Sequence, residues 1–265
     1  MTEQIDSFLV SGYEFSKLCK HVFCPRYNSY LRDTLSSLKE NDFVFLNLDY
    51  ANALLMYLQR YTHLPKFNLI THNSDKSFDI NYYNAFAKYT NTIYAINNTC
   101  NLPNIKTIPL GFVDTISKPH KLLKAISEMK VDKSILAYMN FTICTNKEER
   151  QKCYDTLIVK NFITSESNLP PASFYKQIRK SKYVISPDGT GYDCHRIYEA
   201  ILLNAIPIIK KNPLTNFYKN LPVILVDSWN EIDGDTLEKM YEENYTKLIK
   251  WKEDNPIWFT AKFWI

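Results

Sequence analysis

One stretch of the chain, residues 183–209, constrains the fold more than any other. It begins with the short apolar run YVIS, continues through a turn that contains Gly189 and Gly191, and then shows a helical pattern from about residue 194 to 203. The apolar run AIPII follows directly. A buried strand, a glycine turn, a helix and a second buried strand form a βαβ unit, in which the strands are parallel. The stretch therefore predicts an α/β fold with a parallel sheet.

The same alternation of strands and helices extends over most of the chain. Continuous apolar runs predict strands that are covered on both faces, and apolar residues three and four apart predict helices. The strands include residues 43–48, 67–71 and 135–141, and the helices include residues 51–61 and 147–157. A basic, loop-like segment at 113–133 separates two such halves. We therefore predict a first domain over 1–125 and a second over 126–235, followed by an amphipathic helical segment, 236–265.

Composition and charge argue against several kinds of protein. The net charge of +4 is spread over 265 residues without a polybasic tail, which argues against a nucleic-acid partner. No run of about 18 apolar residues predicts a transmembrane segment, and the first residues lack the pattern of an export signal. The six cysteines include no C-x-x-C pair, which is typical of reduced thiols. We therefore expect a cytoplasmic protein.

The sequence offers little support for a metal site. Cys19, His21 and Cys24 are residue types that bind zinc, but no second pair at ligand spacing follows them. No Asp-x-Asp pair lies between apolar strands. We therefore expect no metal ligands in this chain.

The helix that follows the glycine turn has the features of an anion site. Asp193 is placed to cap it, and the free N–H groups of its first turn attract negative charge. His195 and Arg196 lie in that first turn, where the helix dipole disfavours cations by about 0.3–1 kcal/mol. A bound diphosphate would remove this cost, and Glu199, three residues after Arg196, would face two ribose hydroxyls. The alternative is that Arg196 and Glu199 form an ordinary surface ion pair.

Polar residues also follow the strands of the first half. His72, Asn73, Ser74 and Asp75 come directly after the apolar run at 67–71. Ligands in open α/β sheets bind at the carboxyl ends of the strands, so we expect these residues to face a cleft, together with Gly111 after a later strand. The alternative is a turn stabilised by its own side-chain hydrogen bonds.

The motifs resemble those of a known family. The segments SPDGTGYDCHRIYEAILLNAIPIIKKNPLTNFYKNLPVILVDSWNEI, LAYMNFTICTNKEERQK, NLITHNSD and IPLGF, in their order along residues 67–232, resemble the exostosin-like glycosyltransferases, in particular short soluble forms in large DNA viruses and microbes. The resemblance implies a GT-B fold, in which two Rossmann-like domains face each other across a cleft. It also implies that the segment 236–265 crosses back to the first domain.

The resemblance further implies the reaction and its substrates. Members of this family transfer a sugar from a nucleotide sugar, generally a UDP-sugar, to a glycan acceptor, mostly with inversion and without a metal or another cofactor. Arg150 and Arg196 would bind the diphosphate and Glu199 the ribose, although Arg150 also fits an ordinary helix charge. Lys210 is a further cation that would stabilise the leaving diphosphate. The full donor-binding set is Arg150, Ser186, Asp188, Gly189, Gly191, Asp193, Cys194, His195, Arg196 and Glu199.

An inverting transfer needs a base that takes the proton of the acceptor hydroxyl. We predict Asp75 as this catalytic residue, His72 as the second choice because imidazole titrates near neutrality, and Asp114 as the third. Asn73, Ser74 and Gly111 would lie on the acceptor side. A non-catalytic module that binds nucleotide or glycan on the same fold remains the alternative function. An oxidoreductase or methyltransferase is disfavoured, since no G-x-G-x-x-G follows the first strand.

Overall fold

The computed structural model describes residues 8–24, 35–61, 63–115 and 118–265. They form two compact units. The first consists of residues 8–111 together with 259–265, and the second of residues 112–258. Each unit contains a five-stranded parallel sheet with helices. The predicted α/β class is confirmed, and two parallel-sheet units in one chain are the composition of the GT-B fold.

The first unit is built around five strands whose order in the sheet follows the chain. Its elements are α1 (Gly12–Lys17), β1 (His21–Phe23), β2 (Phe43–Asn47), α2 (Ala51–Leu58), β3 (Phe67–His72), α3 (Ile80–Phe86), β4 (Thr90–Ala95) and β5 (Ile105–Thr107), with 3-10 turns at Leu35–Ser37, Leu48–Tyr50 and Ala261–Phe263. The order is β1-β2-β3-β4-β5, and every pair is parallel. Right-handed crossovers that all run in one direction place the connecting segments on one face of the sheet.

The core of the first unit lies on that face. Val44, Leu46 and Leu69 alternate along β2 and β3 and pack with Leu54 and Leu58 of α2 in one buried cluster. The helix α2 is shorter than predicted, since it ends at Leu58 rather than at residue 61. Its apolar stripe is buried, whereas the residues beyond it are exposed and have no core to pack against.

The other face of the first sheet carries α1, which also contacts the end of the chain. Phe45 of β2 and His72 of β3 point to this face, and their ring centroids lie 6.5 Å apart. Phe15 of α1 packs on the same imidazole at 5.5 Å. The backbone N–H of Val10, just before α1, donates to the carbonyl of Phe259 at 2.6 Å. The last residues of the chain therefore belong to the first unit.

The second unit carries most of the helices. Its elements are α4 (His120–Ser127), β6 (Ile135–Met139), α5 (Lys147–Leu157), β7 (Ile163–Ser165), α6 (Pro171–Lys180), β8 (Ser181–Ile185), α7 (His195–Leu202), β9 (Ile206–Lys210), α8 (Thr215–Tyr218), β10 (Ile224–Val226) and α9 (Gly234–Asp254), with 3-10 turns at Ile143–Asn146 and Trp229–Glu231. The helix predicted over 147–157 is confirmed. The helix of the C-terminal segment ends at Asp254, and α9 packs on β6 and β9 of the second unit.

The strand order of the second sheet creates a position where a ligand can bind. The order is β10-β9-β8-β6-β7, and all strands are parallel. From β6 the chain moves to β7 at one edge, and then crosses to β8 on the other side of β6. The direction of winding therefore reverses between β6 and β8. In open α/β sheets ligands bind at the carboxyl ends of the strands at this reversal point.

Candidate functional site

Two loops meet where the strand order reverses. The loop 140–146 follows β6 and leads into α5, and the loop 186–194 follows β8 and leads into α7. Ser186 is buried at the start of the second loop. The side-chain amide of Asn146 donates to the carbonyl of Gly189 at 3.0 Å, so the two loops are hydrogen-bonded to each other. They form one continuous surface at the carboxyl end of the sheet.

Arg150 fixes the position of these loops. It lies on α5, and only 6% of its surface is exposed. Its Nε donates to the carbonyl of Asp188 at 2.8 Å, and its Nη1 donates to the carbonyl of Thr142 at 2.8 Å. A guanidinium presents several donors in a fixed plane, which lets one side chain bind two carbonyls from different loops. Arg150 is therefore a buried bridging residue and not a solvated helix charge.

Arg196 lies beside this bridge and has unused hydrogen-bonding capacity. Its Nε and Nη1 are buried and have no hydrogen-bond partner within residues 8–24, 35–61, 63–115 and 118–265. The guanidinium carbons of Arg150 and Arg196 each lie 5.7 Å from the centre of the Phe141 ring, whose face attracts cations. Burial lowers the pKa of Arg150, and the charge of Arg196 lowers it further. Two like charges and two unused donors are a good match for an anion with several oxygens.

The start of α7 differs from the prediction. The helix begins at His195 and its N-cap is Cys194, so the predicted cap, Asp193, lies one position too early. The Asp193 carboxylate is buried and instead accepts hydrogen bonds from the backbone N–H of Cys194 at 2.9 Å and from the hydroxyls of Tyr198 and Tyr218. The side chain of Cys194 makes no capping hydrogen bond. Burial raises the pKa of the Cys194 thiol to about 11, so it stays neutral at physiological pH.

The backbone bends at residues 190–192, beside the two glycines, as the predicted turn requires. Among the described glycines only Gly111 has a positive φ, 69°, so neither Gly189 nor Gly191 makes a left-handed turn. Gly189 also lies close to a side chain. A Cβ at this position would lie 3.0 Å from Nη2 of Arg150, closer than most side chains tolerate. The glycine therefore makes room for the bridging guanidinium.

Glu199 is not part of a surface ion pair with Arg196. Only 2% of Glu199 is exposed, and its Oε1 accepts a hydrogen bond from the hydroxyl of Tyr175 at 3.3 Å. The same oxygen lies 3.6 Å from Nζ of Lys118, which also lies over the ring of Phe174. The surface-pair alternative is wrong because α7 is buried on nearly every side, which places this carboxylate inside the unit.

A charged network borders the arginines. Lys210, the last residue of β9, contacts Glu149 at 2.5 Å, and the indole N–H of Trp229 donates to the same carboxylate at 2.7 Å. The side chain of Asn212 donates to Asp188 at 2.8 Å. Burial raises the pKa of the Asp188 carboxyl to about 6, and the hydrogen bond from Asn212 opposes this rise. Asp188 is therefore a group at this site that titrates slightly below neutrality.

Three residues of this surface were not identified from the sequence. Phe141 follows β6, Glu166 follows β7 and Asn212 follows β9, all just beyond the carboxyl end of a strand. That position is the signal by which they could have been found, once the strand ends were placed correctly.

The first unit brings its predicted residues together at the end of β3. His72 is buried, its Nδ1 accepts from the backbone N–H of Asn73 at 2.9 Å, and its Nε2 lies 3.2 Å from the carbonyl of Pro109. Nδ1 also lies 3.0 Å from Oδ1 of Asn73. Asn73 has a positive φ of 58°, which asparagine tolerates better than most residues.

The remaining predicted residues of the first half differ in exposure. Asp75 is exposed. Ser74 is buried, and its hydroxyl donates to Asp49 at 3.0 Å. Gly111 approaches the backbone so closely that a Cβ would lie 2.1 Å from the carbonyl oxygen of Val10. Asp114 is buried and belongs to the second unit, whereas Ser74, Asp75 and Gly111 belong to the first.

Two further properties concern the described part of the chain only. Within it, no group of three or more His, Cys, Asp or Glu side chains is arranged to bind a metal ion. None of the described helices combines the length and the apolar character that a membrane span requires.

A family model matches more than half of the chain. The model of the RXYLT1 C-terminal domain covers residues 110–263, which include the second unit almost entirely. No curated protein matches the sequence significantly.

Several solved structures are similar in fold at low sequence identity. The pneumococcal O-GlcNAc transferase GtfA, solved with UDP and GlcNAc, is 14% identical with a TM-score of 0.38, over 83% of this chain and 52% of that one. The chain thus spans about half the length of that transferase. The UDP-GlcNAc 2-epimerase from Methanocaldococcus jannaschii is 11% identical with a TM-score of 0.35, over 78% and 68% of the two chains. A glycosyltransferase from Rickettsia africae is 10% identical with a TM-score of 0.33, over 80% of each chain.

Proposed function

The chain belongs to the RXYLT1 C-terminal domain family, which is related to the exostosin-like glycosyltransferases, and from this premise we propose that it transfers a sugar from a nucleoside diphosphate sugar to a glycan hydroxyl. The donor is a UDP-sugar, as the sequence resemblance implies. The reaction inverts the anomeric centre and uses no metal ion. The second unit binds the donor.

One observation carries the proposal for the donor. Nε and Nη1 of Arg196 are buried without a hydrogen-bond partner in the described chain. Buried donors are nearly always paired in native proteins, so two orphans on one charged side chain indicate a ligand that accepts hydrogen bonds. They lie at the point where the strand order reverses, beside the first turn of α7. A diphosphate supplies the oxygens and the negative charge that this position favours.

The same groups have a role in the chemical step. As the bond between the sugar and the diphosphate breaks, negative charge grows on the departing oxygen. Arg196, the N–H groups at the start of α7 and Lys210 would stabilise this charge, while Arg150 keeps the two loops in place. In this proposal the guanidinium groups and the helix supply the positive charge that other transferases obtain from a divalent cation.

Asp75 is the base in this proposal. It takes the proton of the acceptor hydroxyl while that oxygen attacks the anomeric carbon, and the nucleoside diphosphate leaves with the electrons of the broken bond. Asp75 is exposed and can therefore meet an acceptor. His72 is less suited, because it is buried and both of its ring nitrogens have hydrogen-bonding contacts.

Calorimetric titration with UDP tests the donor site. Arg196→Ala is expected to weaken the affinity for UDP by about 10-fold to 100-fold, since hydrogen bonds to a charged group are lost. The matched control is Arg60→Ala, which removes an exposed arginine of the first unit and should leave the affinity unchanged. Equal affinities of the two variants would remove the basis of the donor assignment.

Activity measurements separate an enzyme from a binding module. Incubation with a panel of UDP-sugars should release UDP, slowly with water and faster with the correct glycan acceptor. Asp75→Asn is expected to bind UDP as the wild type does and to lose transfer. Wild-type protein that binds UDP but never releases it from any donor would support the non-catalytic alternative, and full turnover by Asp75→Asn would rule out Asp75 as the base.

A further inference from the structure

A cavity of about 610 Å³ lies in the first unit, and none of the candidate site residues lines it. Its walls come from residues of the segment 59–65, which follows α2, and from Lys88 and Tyr89, which precede β4. The cavity is therefore at the amino ends of β3 and β4. His72 is the last residue of β3, and a strand of six residues spans about 20 Å. The cavity is thus separate from the predicted acceptor residues.

Backbone hydrogen bonds hold the walls of this cavity in place. At the end of the first wall, the N–H of Lys66 donates to Oε2 of Glu40 at 2.9 Å, and its carbonyl accepts from the N–H of Asn41 at 2.9 Å. The N–H of Phe67 donates to the carbonyl of Tyr89 at 3.2 Å, which joins the two walls. The cavity is therefore preformed, and its volume is in the range of small-molecule sites, about 300–1,000 Å³.

The lining of the cavity suits a saccharide. The ring of Tyr61 is 40% exposed, and the side chain of Gln59 is exposed as well. A phenol offers an apolar face and a hydroxyl, and an amide offers two donors and an acceptor. A saccharide has matching groups, because its hydroxyls form hydrogen bonds and its C–H faces pack on aromatic rings. A purely apolar ligand would cover these polar groups without giving them partners.

The lining is also positively charged, since it contains a lysine and no aspartate or glutamate. Nζ of Lys88 lies 4.7 Å from the centre of the Tyr89 ring and forms no ion pair with any carboxylate of the described residues. His63 adds an N–H donor in either tautomer. Glu40, which contacts the first wall, also accepts from the side chain of Asn91 at 2.9 Å. A cation without a counter-ion favours a ligand that carries a negative group.

We propose that this cavity binds a sugar acid, a ligand with several hydroxyls and one carboxylate. Tyr61 packs on the sugar ring, Gln59 binds hydroxyls, and Lys88 binds the carboxylate with His63 as a second donor. This site goes beyond the proposed function and does not depend on it, because no residue of the donor or acceptor sets lines the cavity.

Titrations of the full chain followed by ligand-observed NMR test the site. The ligands are methyl α-galacturonide, methyl α-galactoside and acetate. The two sugars differ only in the carboxylate or hydroxymethyl group at C6, and acetate supplies the carboxylate without the ring. Wild-type protein is expected to bind the galacturonide at least about tenfold more tightly than either of the others, because only this ligand combines the ring with a group that accepts from an ammonium.

Variants locate the binding in the cavity. Lys88→Met should lower the affinity for the galacturonide about tenfold, to the level of the galactoside, and leave the galactoside unchanged. Tyr61→Ala should weaken both sugars. Lys106→Met is the matched control, because Lys106 is also exposed and lies over a tyrosine ring, at 5.4 Å from that of Tyr94, but does not line the cavity. It should keep the wild-type affinities.

The other outcomes overturn the proposal. If wild-type protein binds the two sugars equally, or binds neither, the cavity is not a site for a sugar acid. If Lys88→Met keeps the preference for the galacturonide, the carboxylate binds elsewhere. If acetate binds as tightly as the galacturonide, the cavity takes an anion and not a sugar. Gln59→Ala replaces Tyr61→Ala if that variant does not fold, and it should also weaken both sugars. Titration with UDP tests the proposed function separately, and Lys88→Met should bind UDP as the wild type does.

Discussion

Replacement of Arg150 by alanine separates the structural role of this residue from a role in binding. The side chain joins the loops after β6 and β8 through two hydrogen bonds to backbone carbonyls, at 2.8 Å each. The alanine variant loses both bonds and leaves the carbonyls of Asp188 and Thr142 without this partner. It also removes one of two neighbouring positive charges, since Arg196 stays in place.

The expected change in the free energy of unfolding of Arg150→Ala is the balance of these opposing contributions. Hydrogen bonds to a charged group stabilise by about 1.5–3 kcal/mol each, and the exposed Thr142 can replace its partner by water, so the gross loss is about 3–5 kcal/mol. The alanine variant no longer buries a charged group next to Arg196, and this offsets about 1–2 kcal/mol of the lost stability. The free energy of unfolding should therefore fall by about 2–3 kcal/mol. Arg150→Lys should be no better than alanine, because one ammonium cannot reach both carbonyls in the required plane.

Urea denaturation with and without UDP is the assay. The exposed Arg60→Ala serves as the control and should change the free energy of unfolding by less than about 0.5 kcal/mol. Saturating UDP should stabilise wild-type protein, by about 2.7 kcal/mol at 100 times its Kd, and should stabilise Arg150→Ala less. If Arg150→Ala matches Arg60→Ala, or if Arg150→Lys restores full stability, the two carbonyl contacts do not hold the loops together.

Three further changes test other parts of the structure. Gly111→Ala should lower the free energy of unfolding in urea by about 2–4 kcal/mol, because φ is 69° and the new Cβ would lie 2.1 Å from the carbonyl oxygen of Val10. The affinity for UDP-glucose, measured by calorimetry, should rise as the pH is lowered from 7 to 5. Asp188, with its pKa of about 6, becomes neutral over this range, whereas the diphosphate of UDP-glucose does not titrate. Asp188→Asn should show no such change in affinity. The folded state retains the proton of Asp188 up to that pKa, so wild-type stability should also fall as pH rises from about 4 to 6. Trp229→Phe should cost about 1–2 kcal/mol in urea, since Glu149 loses the indole N–H at 2.7 Å.

The sequence predicts the long, continuous elements of the fold well. The run FVFLNL predicts a strand over 43–48, and β2 covers Phe43–Asn47. The helix predicted over 147–157 matches α5. Short elements carry no comparable signal: β1 and β10 have three residues each, too few for a period to emerge, and neither was predicted. Their pairing with longer neighbours in the sheet, which is a tertiary contact, makes them strands.

The candidate site is predicted in outline but not in its contacts. Arg196 is visible in the sequence because a cation in the first turn of a helix is unusual and follows a glycine turn. The sequence does not predict that Glu199 is buried and paired, because its partner Lys118 lies far upstream and contacts it only in the folded unit. Gly189 illustrates the same limit. The sequence explains Gly189 by backbone freedom, whereas the close approach of Arg150, whose Nη2 would lie 3.0 Å from a Cβ there, appears only in the structure.

The two arginines show why residue type and spacing alone could not assign the site. Both are cations near the ring of Phe141, and the sequence gives both the same role. In the folded unit Arg150 uses its donors on two backbone carbonyls, while Arg196 keeps two buried donors unused. A guanidinium whose donors are hydrogen-bonded stabilises the loops. A buried guanidinium with unpaired donors destabilises the free protein until a ligand accepts those hydrogen bonds. The division between structural and binding roles is therefore set by which donors remain unpaired.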